Sequence, residues 1–190
     1  MNEQELIQRL RQGDEPAFRW LVETYRNRVF HTALNILRDD KDAEDAAQET
    51  FIKVYESISS FRGESSLSTW IYRIAVHKAL DKLRRKKSRQ TLGRIIPWWM
   101  PEESKSSAEN FQHPGVAAEQ KEKAALLFRV IGSLPEKQKV AFTLIKVQGL
   151  SYKEASEIMN QPVKAVESLI TRAKINLQQK LEHIYKSSAS

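Results

Sequence analysis

Between Asp39 and Lys87 the sequence sets an acid-rich helical pattern, a short polar turn and a base-rich helical pattern end to end, a succession that favours packed helices. In DDKDAEDAAQETFIKVYESISSF the acids Asp39, Asp40, Asp42, Glu44, Asp45 and Glu49 crowd the beginning, where a helix carries roughly half a positive charge and favours carboxylates. Ala43, Ala46, Ala47, Phe51, Val54 and Ile58 recur at helical spacing, so one face is available for burial while the acids stay in water. RGESS supplies the Gly and Ser of a turn, and LSTWIYRIAVHKALDKLRRKK follows. There Leu67, Trp70, Ile71, Ile74, Ala75, Leu80 and Leu83 form the expected core stripe, with Tyr72, Arg73, His77 and Lys78 off it. The stretch closes on Lys82, Arg84, Arg85, Lys86 and Lys87. Such a helix suits a polyanion, and acids that would repel the same polyanion point to a second, basic partner. The plainer alternative is that the acids serve the helix dipole and the bases a solvated terminus.

Composition narrows the class. At 190 residues the chain suits one large domain or two small ones. Its 41% apolar and 29% charged residues are ordinary for a globular protein, and a formal net charge of +7 points first to nucleic acid and second to an anionic membrane surface. No apolar run approaches the ~20 residues of a membrane span, and acids and arginines interrupt MNEQELIQRLRQGDEPAF where a signal peptide needs an apolar stretch. With no cysteine, disulfides and thiolate chemistry are excluded, and a reducing cytoplasm is compatible. His31, His77, His113 and His183 are scattered, so no metal or other cofactor is expected.

Leu6, Ile7 and Leu10 mark a first helix over Glu3–Gln12, stopped at Gly13, and Asp14 with Pro16 opens the next. Phe18, Leu21, Val22, Tyr25, Val29, Phe30, Ala33, Leu34 and Leu37 keep the helical period through a long core helix, giving an all-helical domain of about four helices over residues 1–88. From 89 to 118 the period fails and three of the six prolines collect, the signature of a linker. Within it Ile95, Ile96, Trp98, Trp99 and Met100 are apolar enough to dock on a partner or to cover this chain's own core.

Helical periods return over 119–186, leaving 187–190 as a tail. Ala124, Leu127, Phe128 and Ile131 form one expected stripe, and Val140, Ala141, Leu144, Ile145 and Val147 form the next, which Gly149 closes. Ser151 with Glu154 reads as a capping box opening a short helix that buries Ala155, Ile158 and Met159. Asn160-Gln161-Pro162 turns the chain into a last helix with Val166, Ile170, Ala173 and Leu177 inward and Lys164, Glu167, Ser168, Thr171, Arg172 and Lys174 outward. This is a helix-turn-helix pattern, or by spacing alone a plain helical hairpin.

Taken together, DAEDAAQETFIKVYESISSFRGESSLSTWIYRIAVHKALDKLRRKK and LPEKQKVAFTLIKVQGLSYKEASEIMNQPVKAVESLITRAKINLQQKL resemble the second and fourth conserved regions of the extracytoplasmic-function branch of the sigma-seventy family. The resemblance implies an all-α chain of two small domains that binds RNA polymerase core and directs initiation at a specific, stress-related gene set, with no catalysis of its own. It implies that Asp45, Gln48 and Glu49 dock on the polymerase. It assigns Arg62, Gly63, Ser65, Ser66, Tyr72, Arg73, His77 and Lys78 to recognising and melting the minus-ten element. Lys164, Ala165, Glu167, Ser168, Thr171 and Arg172 would read the minus-thirty-five element as duplex. An anti-sigma protein is a further implied partner, and no obligate homo-oligomer is. The chain departs from the family pattern at Asn160, Lys164, Ala165, Glu167, Leu169 and His77, so its base preference does not carry over. The competing readings are a free-standing dimeric helix-turn-helix regulator and an enzyme acting on nucleic acid, the latter without any catalytic constellation to support it.

Overall fold

A computed structural model describes residues 2–93 and 118–188. The chain divides into two compact units, Met1–Pro101 and Glu102–Ser190, and the described residues contain helices and no strand.

The first unit holds α1 (Glu3–Arg11), α2 (Glu15–Leu37), α3 (Asp40–Ser57), a 3-10 turn (Ile58–Ser60) and α4 (Leu67–Gly93). Asn2 caps α1 by accepting from the Glu5 N–H at 2.7 Å. The Asp14 carboxylate then joins two helices: one oxygen accepts from the Ala17 N–H at 3.0 Å, and the other from Arg9 Nε at 2.8 Å. Asp39 caps α3 in the same way, accepting from the Asp42 N–H at 2.9 Å.

Leu6 and Leu10 of α1, Leu21 and Val29 of α2, Phe51 and Val54 of α3, and Leu67, Ile71 and Ala75 of α4 share one core, with Ile58 and Phe61 of the connection. Helix α4 packs against both α2 and α3, so its buried arc is wider than a single stripe. Thr69, Tyr72, Val76 and Ala79 are buried beside Leu67, Ile71 and Ala75, whereas Leu80 and Leu83 are only half-buried. Tyr72, expected off the core, is 1% exposed: a helix wedged between two neighbours hides positions that a one-sided pattern assigns to solvent. Trp70 is half-buried, its ring 5.0 Å from that of Phe61. The helix also runs past Ser88 to Gly93, beyond the expected domain end, where Arg89, Gln90 and Leu92 are good helix formers even without an apolar period. Ile95, Ile96, Trp98, Trp99 and Met100 lie outside the described residues.

The second unit holds α5 (Ala118–Gly132), α6 (Glu136–Phe142) continuing into a wide π turn (Thr143–Val147), α7 (Tyr152–Met159) and α8 (Val163–Ser188). Helix α8 packs against the other three. Val166, Ile170, Ala173 and Leu177 are all buried, as their spacing predicts. In α5 the inward side is Val130 and Ile131, joined by Leu134, while Leu127 is 47% exposed rather than in the stripe. Val147 also points out, at 44%, because the wider π turn changes the phase of the stripe after Leu144 and Ile145. Gln138 Oε1 accepts from Asn176 Nδ2 at 2.8 Å, a part-buried polar tie between α6 and α8.

The turn between α7 and α8 is secured locally. The Glu154 N–H donates to Ser151 Oγ at 3.2 Å, and Glu154 Oε2 accepts from the Ser151 N–H at 2.8 Å, completing the capping box. Asn160 closes α7 at φ 49°, a left-handed conformation that Asn tolerates better than most residues with a Cβ. Ser156 Oγ donates to the Gln161 carbonyl at 2.6 Å and fixes the exit. Ser151→Ala is expected to cost the second unit about 1 kcal/mol. Urea unfolding of the full chain, followed by a probe confined to this unit, measures it.

Candidate functional site

Helices α3 and α4 run antiparallel with their charged edges facing. Lys86 Nζ lies 2.9 Å from Asp42 and 3.2 Å from Asp39; Lys82 Nζ lies 2.9 Å from Asp45 and 4.0 Å from Asp42; Lys78 Nζ lies 3.3 Å from Glu49. Hydrogen bonding to Asp42 and then Asp39 raises the Lys86 pKa against the opposing effect of burial. The Asp39 carboxyl is held below its usual range first by the Asp42 N–H and then by Lys86. The acids that sequence alone leaves for a basic partner thus meet this chain's own lysines, and Lys78 lies on Glu49. Asp45 and Glu49 nevertheless keep nearly half of their side-chain surface in water, so a partner can still reach them. Pairs this exposed contribute about 0–1 kcal/mol each.

On the outer side of α3, Glu44, Gln48, Ile52 and Tyr55 are exposed, with Ile52 at 58% and Tyr55 at 57%. The Tyr55 ring packs edge-on against Phe18 at 5.1 Å, which holds it in place. Sequence reasoning missed this apolar strip, although its three- and four-residue steps from Gln48 were a readable signal.

The segment from Arg62 to Ser66 spans two buried anchors, Phe61 and Leu67. Gly63 makes its bend at φ 74°. Arg62, Gly63 and Glu64 are exposed, while Ser65 and Ser66 are half-buried. The Ser66 hydroxyl accepts from the Thr69 N–H at 3.1 Å and sits 2.9 Å and 2.8 Å from the hydroxyls of Ser68 and Thr69, so it caps α4. Helix α1 reaches the same segment from both sides: Glu3 Oε1 accepts from the Leu67 N–H at 3.2 Å, and the Arg11 guanidinium donates to the Phe61 carbonyl. Neither contact is readable from local periodicity, because the partners lie far apart in sequence.

Along α4, Arg73 is half-buried with its Nε inaccessible to water and without a hydrogen-bond partner, and His77 is exposed one turn on. Tyr72, assigned with them, points into the core and offers no ring to a ligand in this arrangement.

In the second unit Lys164, Glu167, Ser168, Thr171 and Arg172 form an exposed face at the start of α8, with Ala165 half-buried. The Ser168 and Thr171 hydroxyls donate to the carbonyls of Lys164 and Glu167, both at 3.0 Å, leaving their oxygens able to accept from outside. The face carries both signs of charge. Among the described residues no cluster of His, Asp or Glu could hold a metal, and no helix is long and apolar enough to cross a membrane.

Comparison with known proteins aligns with this geometry. The family described as Sigma-70 region 2 matches residues 21–89, and that described as Sigma-70, region 4 matches residues 124–177. The ECF RNA polymerase sigma-E factor of Haemophilus influenzae is 36% identical, covering 96% of this chain and 96% of its own length. That of Escherichia coli K12 is also 36% identical, covering 96% of this chain and 95% of its own. Among solved structures, CnrH in complex with the cytosolic domain of CnrY shares the fold at TM-score 0.68 and 21% identity, covering 95% of this chain and 97% of that one. RpoE from Bartonella quintana, in complex with the anti-sigma factor NepR, does so at TM-score 0.71 and 19% identity, covering 87% and 96%.

The ladder has a pH signature. The raised Lys86 pKa means that its contribution is complete below the ordinary lysine value of about 10.4 and is lost as pH rises through the folded value. The lowered Asp39 pKa means that its contribution is present above about pH 4 and is lost as pH falls through the folded value. Lys86→Gln is therefore expected to cost about 0.5 kcal/mol near neutrality, a deficit that shrinks above about pH 10. Most of the acid-side loss persists, because the Asp42 N–H still holds Asp39. Urea unfolding across pH checks both limbs.

Proposed function

The chain belongs to the sigma-70 family, as an extracytoplasmic-function RNA polymerase sigma factor, and from that premise we propose which of its surfaces performs each step of promoter-specific initiation. Such a protein binds RNA polymerase, directs it to promoters and sets where transcription starts. The observation that carries the assignment is the presence in one chain of an acid-bearing α3 beside a short capped loop, followed by an exposed recognition face on α8.

Asp45, Gln48 and Glu49 dock on the polymerase, extended by the exposed Ile52 and Tyr55. Apolar groups of that size beside half-exposed carboxylates suit a basic helical partner. Arg62, Gly63, Ser65 and Ser66 form the loop that receives the opened minus-ten strand, flanked by Arg73 and His77, with Lys78 reaching phosphates by leaving Glu49. Tyr72 acts from within the core, as support for α4. Lys164, Ala165, Glu167, Ser168, Thr171 and Arg172 meet the minus-thirty-five duplex. The polymerase supplies all catalysis, the site of action is the cytoplasm, and an anti-sigma protein sequesters the chain until a stress-related gene set is needed. Reconstituted transcription with core polymerase and promoter DNA tests the reading; absence of both core binding and promoter-dependent initiation overturns it.

Two variants separate the surfaces. Exchanging the pair as Glu49→Lys with Lys78→Glu retains an ion pair and is expected to hold stability within about 0.5 kcal/mol of wild type. It nonetheless weakens core association, as gel filtration with polymerase measures. Arg172→Ala is expected to lower the slope of log affinity for minus-thirty-five duplex against log salt by about 1. Salt titration of binding checks it, and an unchanged slope with altered base preference would instead make Arg172 a base reader.

A further inference from the structure

The start of α4 is capped twice, and the second cap comes from the other end of the unit. Ser66 satisfies the Thr69 N–H from within the loop. Glu3, from α1, satisfies the Leu67 N–H. On the other side of the loop Arg11, from the last turn of the same α1, takes the Phe61 carbonyl. Between these two attachments lie only Arg62, Gly63, Glu64, Ser65 and Ser66, whose bend rests on one left-handed glycine with no atom near enough to confine it. The buried side chains of Phe61 and Leu67 fix where the segment enters and leaves. The Ser66–Leu67 peptide is held on its carbonyl side by the Trp70 N–H at 3.1 Å, and Glu3 holds the N–H side of the same peptide. Side-chain burial by itself leaves the Phe61–Arg62 peptide able to rotate. The two α1 contacts fall on peptide groups at those points, one on a carbonyl and one on an N–H. Helix α1 is itself held by Leu6 and Leu10 in the core and by the bond from Arg9 to Asp14, so it is anchored between its two contacts with the loop.

We propose that Glu3 and Arg11 are positioning residues that clamp both ends of the 62–66 loop in the shape that receives an unpaired base. The proposal rests on the reading of that loop as the minus-ten element's receptor. It assigns α1, which lies outside the stretch matched to region 2, a part in strand opening without direct contact with DNA. A receptor held in its bound shape beforehand avoids ordering cost at the moment of binding, so loosening the clamp weakens single-strand capture and leaves duplex recognition by the other unit alone.

The test uses the full chain bound to core polymerase, with Glu3→Ala, Glu3→Gln, Arg11→Ala and Arg11→Lys. The probe is single-stranded DNA of about ten nucleotides, selected by the wild-type holoenzyme from a randomised pool. Glu3→Ala and Arg11→Ala are each expected to lose ~10-fold in affinity for this strand and in the rate of promoter opening. Core association and minus-thirty-five duplex affinity stay at wild-type values. Amide exchange at Gly63 to Ser66 quickens in both. Glu3→Gln, which still accepts from the Leu67 N–H, restores strand binding, and Arg11→Lys restores it in part. Unchanged strand affinity in the alanine variants overturns the proposal, as does a loss that spreads equally to core and duplex binding, which would mark the contacts as ordinary stabilisers. A wild-type holoenzyme that selects no strand overturns the reading of the loop itself, a failure visible before any variant is made.

Discussion

Helix α4 has neighbours on two sides, and most of the first unit follows from that constraint. Packed by α2 and α3 together, it buries Thr69, Tyr72, Val76 and Ala79 as well as the anticipated Leu67, Ile71 and Ala75. As far as Lys82, what is left to water is narrow. One edge, Lys78, Lys82 and Lys86, turns to the acids of α3, and a second strip carries Arg73 and His77. The wedge therefore sorts basic residues that look equivalent in sequence into those matched by carboxylates and those left to face outward.

This sorting changes how the net charge of +7 should be understood. A positive excess suggests a broad basic surface, yet on this edge of α4 the cations face carboxylates at close range, and the long-range field there is largely cancelled. Elsewhere cations stand in water without a carboxylate ladder of this kind, among them Arg62 on the loop, Arg85 and Arg89 toward the end of α4, and Lys164, Arg172 and Lys174 on α8.

Much of the fold was legible because it is local. Asp14 and Ser151 cap the helices they were expected to cap, and Val166, Ile170, Ala173 and Leu177 line the inside of α8, since caps and periods are set within one or two turns. The misreadings have separate physical causes. Tyr72 was assigned to solvent because one amphipathic stripe assumes one neighbour, and Val147 was assigned to the core because a regular period cannot anticipate a π turn. Leu127 shows the remaining ambiguity, as a run such as Leu126-Leu127-Phe128 permits two phases and tertiary packing chose Leu126. Within the candidate site, the outward face of α8 was readable from spacing. The contacts of Glu3 and Arg11 were not, since nothing in α1 alone names a distant peptide group as its partner.

The room around Gly63 bears on how this loop drifts over evolutionary time. No atom lies within 4 Å of where a Cβ would sit, so replacing the glycine incurs a torsional penalty of about 1 kcal/mol and no collision. Arg62 and Glu64 carry neither penalty. Substitutions at Arg62 and Glu64 are therefore nearly neutral for folding, while a substitution at the hinge is not. On the proposed reading of this loop, base preference and structural integrity are thereby separable.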